Sequence, residues 1–366
     1  MNYKEEQRIV MTLDAGGTNF VFSAIAGGKE IVEPFVLPSV PTHIDHCLKN
    51  IVTGFHHILK LLPETPVAIS FAFPGPADYE AGIIGDLPNF PAFRGGVALG
   101  PYLQDQFGLP VFINNDGNLF AYGEAMTGIL PEINNRLKEA GSTKRYQNII
   151  GITLGTGFGA GVVTNGQLLL GDNAAGGDLW CLRNKNHPQF IVEESVSIRA
   201  IKRMYAERSG CKEDLTPKDI YEIAEGNLQG EQEAARSSFA ELGEVAAEAL
   251  SCALTLVDGL VVIGGGLAGA SKYILPAMIK ELNGTIRMMD GSIFNRLQMK
   301  VFNLEDETEF TSFAGYQPKQ IKVPDTTRFI SYDLYKRTGI AVTHQGTSRS
   351  ISLGAYTYAL NQLDNQ

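Results

Sequence analysis

The sequence predicts an α/β protein of two similar lobes that face one cleft. A strand, a glycine-rich turn and a second strand occur twice, about 140 residues apart, each pair heading a mixed α/β region. A polar triplet follows a buried strand, at the place where open parallel sheets bind ligands. At 366 residues the chain is long for one compact core and suits two.

Taken in order, Arg8 to Leu13 reads as a strand, Asp14-Ala15-Gly16-Gly17-Thr18 as a turn, and Phe20 to Ala26 as the returning strand of a hairpin. Within His43 to Leu62, the residues Ile44, Cys47, Ile51, Phe55, Ile58 and Leu62 stand at helical spacing. The apolar run Val67 to Phe73 predicts a buried parallel strand, stopped by Pro74-Gly75-Pro76. Val97 to Phe107 predicts a helix and Pro110 to Ile113 the next strand. Asn114, Asn115 and Asp116 stand just past its carboxyl end, and Leu119 to Thr127 reads as helix. The polar stretch Pro131 to Gln147 carries a helix or a lobe junction, so the lobes are expected at 1–130 and 131–366.

The second hairpin comprises Asn148 to Leu154, Gly155-Thr156-Gly157-Phe158-Gly159 and Ala160 to Val163. Helices are predicted at Glu194 to Ser209, Thr216 to Asn227 and Ser237 to Asp258, the last with an apolar stripe from Phe239 to Val257. A short buried strand, Leu260 to Ile263, runs into Gly264-Gly265-Gly266-Leu267-Ala268-Gly269 and a helix through Leu282. Residues from about Leu304 to Gly339 read as irregular and suggest no role. Ser350 to Leu360 predicts a closing helix that packs back on the first lobe.

Composition narrows the function classes. Hydrophobic residues make up 44% and charged residues 19%, as in ordinary globular proteins. The net charge of -10 and pI of about 5.2 disfavour nucleic acid and anionic membrane as partners. Cys47, Cys181, Cys211 and Cys252 are scattered without a C-x-x-C pair, which argues against a disulfide framework and a four-thiolate zinc site. The opening MNYKEEQRIV lacks the apolar core of a signal peptide, and no run approaches the roughly 20 apolar residues of a membrane span. A soluble, cytoplasmic protein is expected.

Three features carry chemistry. Successive N–H groups in the two glycine turns form nests for phosphate oxygens. Asp14 in the first turn would repel phosphate and makes sense as a Mg²⁺ ligand acting through water. Two ordinary hairpin turns would give the same pattern singly; two in corresponding places favour phosphate. Asp116 stands where a carboxylate can take a proton from a hydroxyl, although an aspartate there also suits a helix N-cap. Gly264, Gly265 and Gly266 leave room for a flat adenosine moiety or its phosphate. Gly264, Gly266 and Gly269 also fit G-x-G-x-x-G, with Asp290 about 20 residues on, but this dinucleotide motif falls late in the chain. There is no G-x-x-x-x-G-K-[ST] loop.

These motifs, in this order, resemble the ROK family, bacterial sugar kinases and related sugar-responsive repressors of the actin-like ATPase (ribonuclease H-like) superfamily. Asp14-Ala15-Gly16-Gly17-Thr18-Asn19 is similar to the family's first phosphate motif, and Phe73-Pro74-Gly75-Pro76 to its P-G-P turn. Leu87-Pro88-Asn89-Phe90 resembles its sugar-contact segment. Asn114-Asn115-Asp116 with Gly123-Glu124 resembles its N-D-x-N…G-E stretch. Leu154 to Gly161 resembles the second phosphate motif, and Val262 to Gly266 the adenosine motif. The resemblance implies a two-lobed actin-like fold and a kinase that uses Mg²⁺ and ATP on a hexose or amino-sugar hydroxyl. It makes Asp116 the catalytic base and Asn89 and Asn115 sugar ligands. Gly16, Gly17, Thr18, Asn19, Gly155, Thr156 and Gly157 become phosphate-binding residues, and a homodimer or higher oligomer is expected. A sugar-binding regulator without turnover is the alternative. Only 13 residues precede Asp14, too few for the repressors' helix-turn-helix region.

The chain also departs from the pattern. Where the family has A-G-E-x-G-H, this chain has Ala175-Gly176-Gly177-Asp178-Leu179-Trp180. Gly177 replaces a glutamate and Trp180 a histidine; Asp178 is expected to substitute through a one-residue shift. The family's zinc cysteines are absent, with Cys181 alone nearby, so no structural zinc is expected. Glu193, four residues before Ser197, is expected as a second hydroxyl ligand, although a carboxylate also suits the first turn of a helix.

Overall fold

The glycine hairpins organise two sheets of the same plan. The structure, a computed structural model, describes residues 3, 5–75, 77–85, 90–315 and 318–365. In the first sheet β1 (Val10–Ala15) and β2 (Asn19–Ala26) pair antiparallel, with Val10 opposite Ile25 and Ala15 opposite Phe20. β3 (Lys29–Glu30) and β4 (Phe35–Pro38) both pair with β2. After α1 (Ile44–Leu61), β5 (Ala68–Ala72) lies parallel to β1. A small antiparallel pair follows, β6 (Ala77–Asp78) and β7 (Ile83–Ile84), then α2 (Leu99–Phe107) and β8 (Val111–Asn114), parallel to β5. One face of this sheet buries Met11, Phe22 and Phe71 against Ile51, Phe55 and Leu103 of α1 and α2.

Two helices, α3 (Asp116–Met126) and α4 (Ile129–Glu139), lead to the second sheet. β9 (Ile149–Leu154) and β10 (Phe158–Thr164) repeat the antiparallel hairpin, and β11 (Gln167–Leu168) extends it. Next come α5 (Ile198–Ser209), α6 (Pro217–Glu225), α7 (Gln232–Val257) and β12 (Leu260–Gly264), parallel to β9. A 3₁₀ turn at Gly266–Ala270 precedes α8 (Ser271–Leu282). Then follow the hairpin β13 (Thr285–Arg287) and β14 (Ile293–Asn295), β15 (Lys300–Asn303) and α9 (Glu307–Ala314). The hairpin β16 (Lys319–Lys322) and β17 (Phe329–Tyr332) leads to β18 (Arg337–Val342) and α10 (Thr347–Asp364). The strand orders are β3-β2-β1-β5-β8 and β11-β10-β9-β12-β18-β15, so each glycine hairpin occupies the corresponding place in its own sheet.

The sheets exchange helices. α3, which follows the first sheet in sequence, packs on β9 and β10 of the second. The last helix, α10, packs on the first: Leu353, Tyr356, Ala359 and Leu360 close over Val10, Ile25 and Ala68. The two helices cross where Gly123 meets the backbone of Ser350 and Gly354 meets that of Leu119. A Cβ on either glycine would lie 1.9 Å from the facing carbonyl oxygen. Glu124, fully buried beside this crossing, accepts from Ile129 N–H (2.9 Å) and from the hydroxyls of Thr343 and Ser350 (both 2.5 Å). The Gly-Glu pair of the sequence is therefore one glycine for helix contact and one carboxylate that ties α3 to the start of α10.

Several boundaries differ from expectation. The segment Leu304 to Gly339 is not irregular. It holds α9, whose N-cap Asp306 accepts from Thr308 and Glu309 N–H, a complete hairpin, and the start of β18. The strands of β13–β14 and β16–β17 are exposed on both faces, so no period-2 pattern marks them. The helix predicted from Glu194 begins at Ile198, because Val192–Glu194 forms a separate 3₁₀ turn. α7 starts at Gln232, five residues before the prediction, since its first residues, Gln232 and Glu233, are polar and precede the apolar stripe. Among the described residues no helix is long and apolar enough to cross a membrane.

Candidate active site

Asp116 owes its position to the end of β8 and the beginning of α3. Asn115 is the N-cap: its Oδ1 accepts from Asn118 N–H at 2.6 Å, satisfying one of the orphan donors of the first turn. Asp116 is thus the first helical residue and not the cap, and α3 begins three residues earlier than Leu119. Buried Asn114 holds this turn from below, its Oδ1 accepting from Asn115 N–H and Asn118 Nδ2. With the cap supplied by Asn115, the carboxylate of Asp116 accepts from Gly117 N–H, through Oδ1 at 2.9 Å.

Asp116 and Asp14 line one cavity of ≈ 180 Å³, together with Ala72, Pro74, Ser348 and Ser352. Asp116 remains solvent-accessible there but is enclosed on most sides. That enclosure raises its pKa above the usual carboxylate range, against the lowering effect of the Gly117 N–H. Asp14 is raised as well, by burial first and by the charge of Asp116 second. No hydrogen bond from the described residues reaches the Asp14 carboxylate. Its lone pairs are free for the waters of a divalent cation, and such a cation would relieve the repulsion between the two carboxylates. This donor set fits Mg²⁺, which is held by one or two carboxylates plus substrate phosphates. Among the described residues no three His, Cys, Asp or Glu side chains converge.

In both glycine turns carbonyls are tied back and at least two successive N–H groups are left open. Buried Ser39 does this for the first turn. Its Oγ donates to Gly17 O at 2.7 Å and its N–H to Thr18 O at 3.0 Å. Among the described residues, the N–H groups of Gly16, Gly17 and Thr18 meet no protein acceptor, and neither do those of Thr156 and Gly157. Asn19 opens β2 beside the first turn. In the second turn Gly155 N–H donates to Gly157 O, and Ile198 N–H donates to Gly155 O.

Glu193 sits beneath that second turn. Its Oε2 accepts from Phe158 N–H at 3.0 Å and its Oε1 from Arg199 at 2.9 Å. A Cβ on residue 157 would lie 2.5 Å from Oε2, so a larger residue there would displace the Glu193 carboxylate. The adenosine-motif glycines divide in role. Gly265 has φ +89° and leaves no room for a Cβ beside Leu154, and its N–H donates to Thr347 Oγ1 at 2.7 Å. Gly264 packs on Phe120, and Gly266 faces open space.

Asp178 lies in the loop after β11, and burial raises its pKa against a hydrogen bond from Trp180. Gly177 has φ +92°, a left-handed conformation in which a glutamate would be strained. The loop is therefore built differently from A-G-E-x-G-H. Trp180 is 40% exposed, so it does not fill a core. Cys181 is exposed and donates to Asp178 O. Asn89, with the neighbouring Leu87 and Pro88, lies outside the described residues.

Sequence reasoning missed three groups. Ser39 had no motif around it. Ser352 falls inside the predicted closing helix and Ser348 two residues before it, and neither stands in a motif. Tyr79 donates to Phe73 O at 3.0 Å; burial, and then the charges of Asp116 and Asp178, push its pKa up, so its hydroxyl lies within the field of both.

Comparison with known proteins identifies the family. The ROK family model matches residues 10–290, more than half of the chain. A crystal structure of glucokinase from Parabacteroides distasonis ATCC 8503 is 63% identical and covers 99% of each chain with a TM-score of 0.91. Glucokinase of Thermotoga maritima is 26% identical over 72% of this chain and 83% of its own. N-acetyl-D-glucosamine kinase of Vibrio cholerae is 27% identical over 61% of this chain and 67% of its own. The two-lobed α/β fold, the order of the motifs and the extent of the family match together make this chain a member of the ROK family.

Proposed function

We propose that the chain transfers the γ-phosphoryl group of ATP to a hydroxyl of a hexose or amino sugar, with glucose the first candidate. The observation that carries this reading is the pairing of Asp116 with Asp14 in one cavity at the first of two turns that leave N–H groups open. The family membership and the kinase relatives support it from outside.

The sugar lies against Asp116 with its hydroxyls toward Asn115, Asp178 and Glu193, and Asn89 is assigned to it on the family resemblance alone. Asn115 keeps its Nδ2 donors after capping α3, and Glu193 keeps lone pairs beyond its two bonds. Asp116 accepts the hydroxyl proton as the new O–P bond forms and the bond to the β-phosphate oxygen breaks, leaving ADP. A raised pKa makes it a stronger base than an exposed aspartate. Gly16, Gly17, Thr18, Asn19, Gly155, Thr156 and Gly157 receive phosphate oxygens, and Gly266 faces the adenosine. Mg²⁺, held through Asp14, would neutralise charge on the transferred group. We assign the lobes to 1–130 and 131–366, with α10 returning to the first, and we expect a cytoplasmic homo-oligomer on family resemblance.

The test is ADP release from Mg·ATP across hexoses, N-acetylhexosamines and ketohexoses, with Asp116→Asn beside the native chain. Sugar-dependent turnover that collapses in the variant supports the kinase. Silence across the panel, with sugar binding retained, would favour a non-catalytic regulator.

A further inference from the structure

The loop that follows β11 carries two of the carboxylates assigned to the sugar, Asp178 at one end and Glu193 at the other. Its two arms pair with each other. Val192 N–H donates to Leu182 O at 2.7 Å and Asn184 N–H to Phe190 O at 3.0 Å, and between them Arg183 and Ile191 form an antiparallel bridge. The loop is thus a short hairpin. Asp178 leads into one arm through the 3₁₀ turn Leu179–Cys181, and Glu193 directly follows the other arm. The pairing of the arms therefore sets where the two carboxylates stand relative to each other.

Asn184 is the centre of this hairpin. Loops usually run over the surface, yet this residue is 0% exposed. Its Oδ1 accepts from Asn186 N–H and His187 N–H, both at 3.0 Å, and so shapes the tip. Its Nδ2 donates to Ser195 Oγ at 2.8 Å and to Ile191 O at 3.4 Å. Both lone pairs and both N–H groups of the amide are used, so the side chain has one orientation: turned over, its oxygen would face Ile191 O and its N–H groups would face two other donors. The donor half grips the chain on both sides of Glu193, two residues before it at Ile191 and two residues after it at Ser195, which is itself buried.

With the backbone held at 191 and 195, the Glu193 carboxylate reaches the second glycine turn, where Phe158 N–H and Arg199 meet it. The tip of the hairpin has its own anchor: Lys185 pairs with Glu244 of α7 at 2.6 Å and with Glu281 of α8 at 2.8 Å. These pairs are partly exposed and constrain the loop weakly. The buried amide constrains it strongly, because a shift of the arms would leave Asn184 and Ser195 as buried polar groups without partners.

We propose that Asn184 is a positioning residue of the acceptor site: its amide fixes the Asp178–Glu193 hairpin and so sets which sugar hydroxyls the two carboxylates reach. The role toward the sugar rests on the kinase reading, whereas the role toward the loop rests on the hydrogen bonds alone. Selection among sugars then depends on a residue that is fully buried and touches no substrate, acting through Glu193.

Trp180, the only tryptophan of the chain, lies in this loop and is 40% exposed, so its emission reports on the loop with no substrate present. Asn184→Ala and the milder Ser195→Ala are made in the full chain, beside Glu193→Gln. Asn184→Ala is expected to show red-shifted Trp180 emission and stronger quenching by acrylamide. Its KM for glucose is expected to rise by about 10- to 100-fold, the cost of misplacing a site group by about 1 Å, with Ser195→Ala shifted less in the same direction. The decisive readout is discrimination among deoxyglucoses. The native chain should reject the analogue that lacks a hydroxyl held by the loop, and Asn184→Ala should lose at least about tenfold of that preference while keeping its preference at the other hydroxyls. Because Asn184 acts through Glu193, the double variant should fall within about threefold of the more affected single variant rather than at the product of the two effects. A merely structural role would lower the urea midpoint and leave the pattern across the deoxyglucoses unchanged, and that result overturns the proposal. So do native Trp180 emission and quenching in Asn184→Ala, and so do multiplicative effects in the double variant. Should Asn184→Ala fail to fold, Ser195→Ala carries the same readouts at smaller size. If the native chain turns over no sugar, the kinase reading fails, and the hold of Asn184 on the loop stands or falls with the Trp180 signal.

Discussion

Replacing Gly354 by alanine tests how tightly the chemistry is tied to the crossing of α3 and α10. The added Cβ would stand 1.9 Å from Leu119 O, 2.7 Å from Leu119 C and 3.0 Å from Gly123 N, all backbone atoms. Ordinary contact begins near 3.4 Å, so the helices must part by about 1.5 Å at this point. Alanine would gain about 1 kcal/mol of helix propensity over glycine. Overpacking against rigid backbone typically costs about 1–3 kcal/mol and here meets no flexible side chain that could yield. The difference is a net loss of about 0–2 kcal/mol, at the upper end here because the new atom meets only backbone. Leu119 is one turn from Asp116, so parting the helices also displaces the base, and a shift of about 1 Å can cost on the order of 100-fold in rate. The assay pairs urea denaturation with sugar-dependent ADP release. We expect a lower midpoint and kcat/KM reduced by about 10- to 100-fold, with Gly123→Ala alike and the double variant less than additive. Gly354→Ala with native midpoint and native kcat/KM would refute the crossing as a rigid contact.

Other changes have equally direct readouts. Asp116→Asn is expected to lower kcat by about 10²- to 10⁴-fold with sugar binding retained in calorimetry. Because the folded pKa of Asp116 is raised, its ionisation opposes folding as pH rises through that value. Asp116→Asn should therefore unfold at a higher temperature than the native chain at pH 7. The same shift places the acid limb of kcat/KM above the value of an exposed aspartate, about 3.9, with activity falling as the base is protonated; a limb at or below 3.9 would contradict it. Glu124→Ala leaves Ile129 N–H and two hydroxyls without their acceptor and is expected to cost at least about 2–3 kcal/mol in chemical denaturation, with Glu124→Gln losing less. Ser39→Ala frees Gly17 O and is expected to raise the Mg·ATP KM several-fold at a stability cost of about 1 kcal/mol.

The parts of the fold visible in the sequence are those with a buried side. Both glycine hairpins, the parallel strands β5, β8 and β12, and the amphipathic helices α1 and α7 each carry a period or an apolar run. The exposed hairpins after α8 and α9 carry neither, because no face of them is covered. In the site, Asp14, Asp116 and the two turns are short-range motifs and could be read directly. Ser39 could not, since it reaches Gly17 from 22 residues away through the pairing of β2 with β4. Glu193 could be read as a carboxylate near a helix but not as the group beneath Gly157. Only the packing of the 3₁₀ turn against β10 brings them together. Gly177 was legible as a departure, and its positive φ supplies the reason that a glutamate is not simply missing there.

The exchange of helices between the sheets also sets the order in which the chain can complete itself. Val10, Ile25 and Ala68 are covered by α10, yet residues 115–346 must be made between β8 and that helix. At about 5–20 residues per second this takes roughly 10–50 s. Through that interval the first sheet has one face sealed by α1 and α2 and the other bare. It cannot mature as an N-terminal unit while the ribosome continues. The nascent chain is thus expected to hold a strong chaperone-binding surface until its last helix emerges, and a ribosome-stalled fragment ending at residue 346 should be captured where the full chain is released.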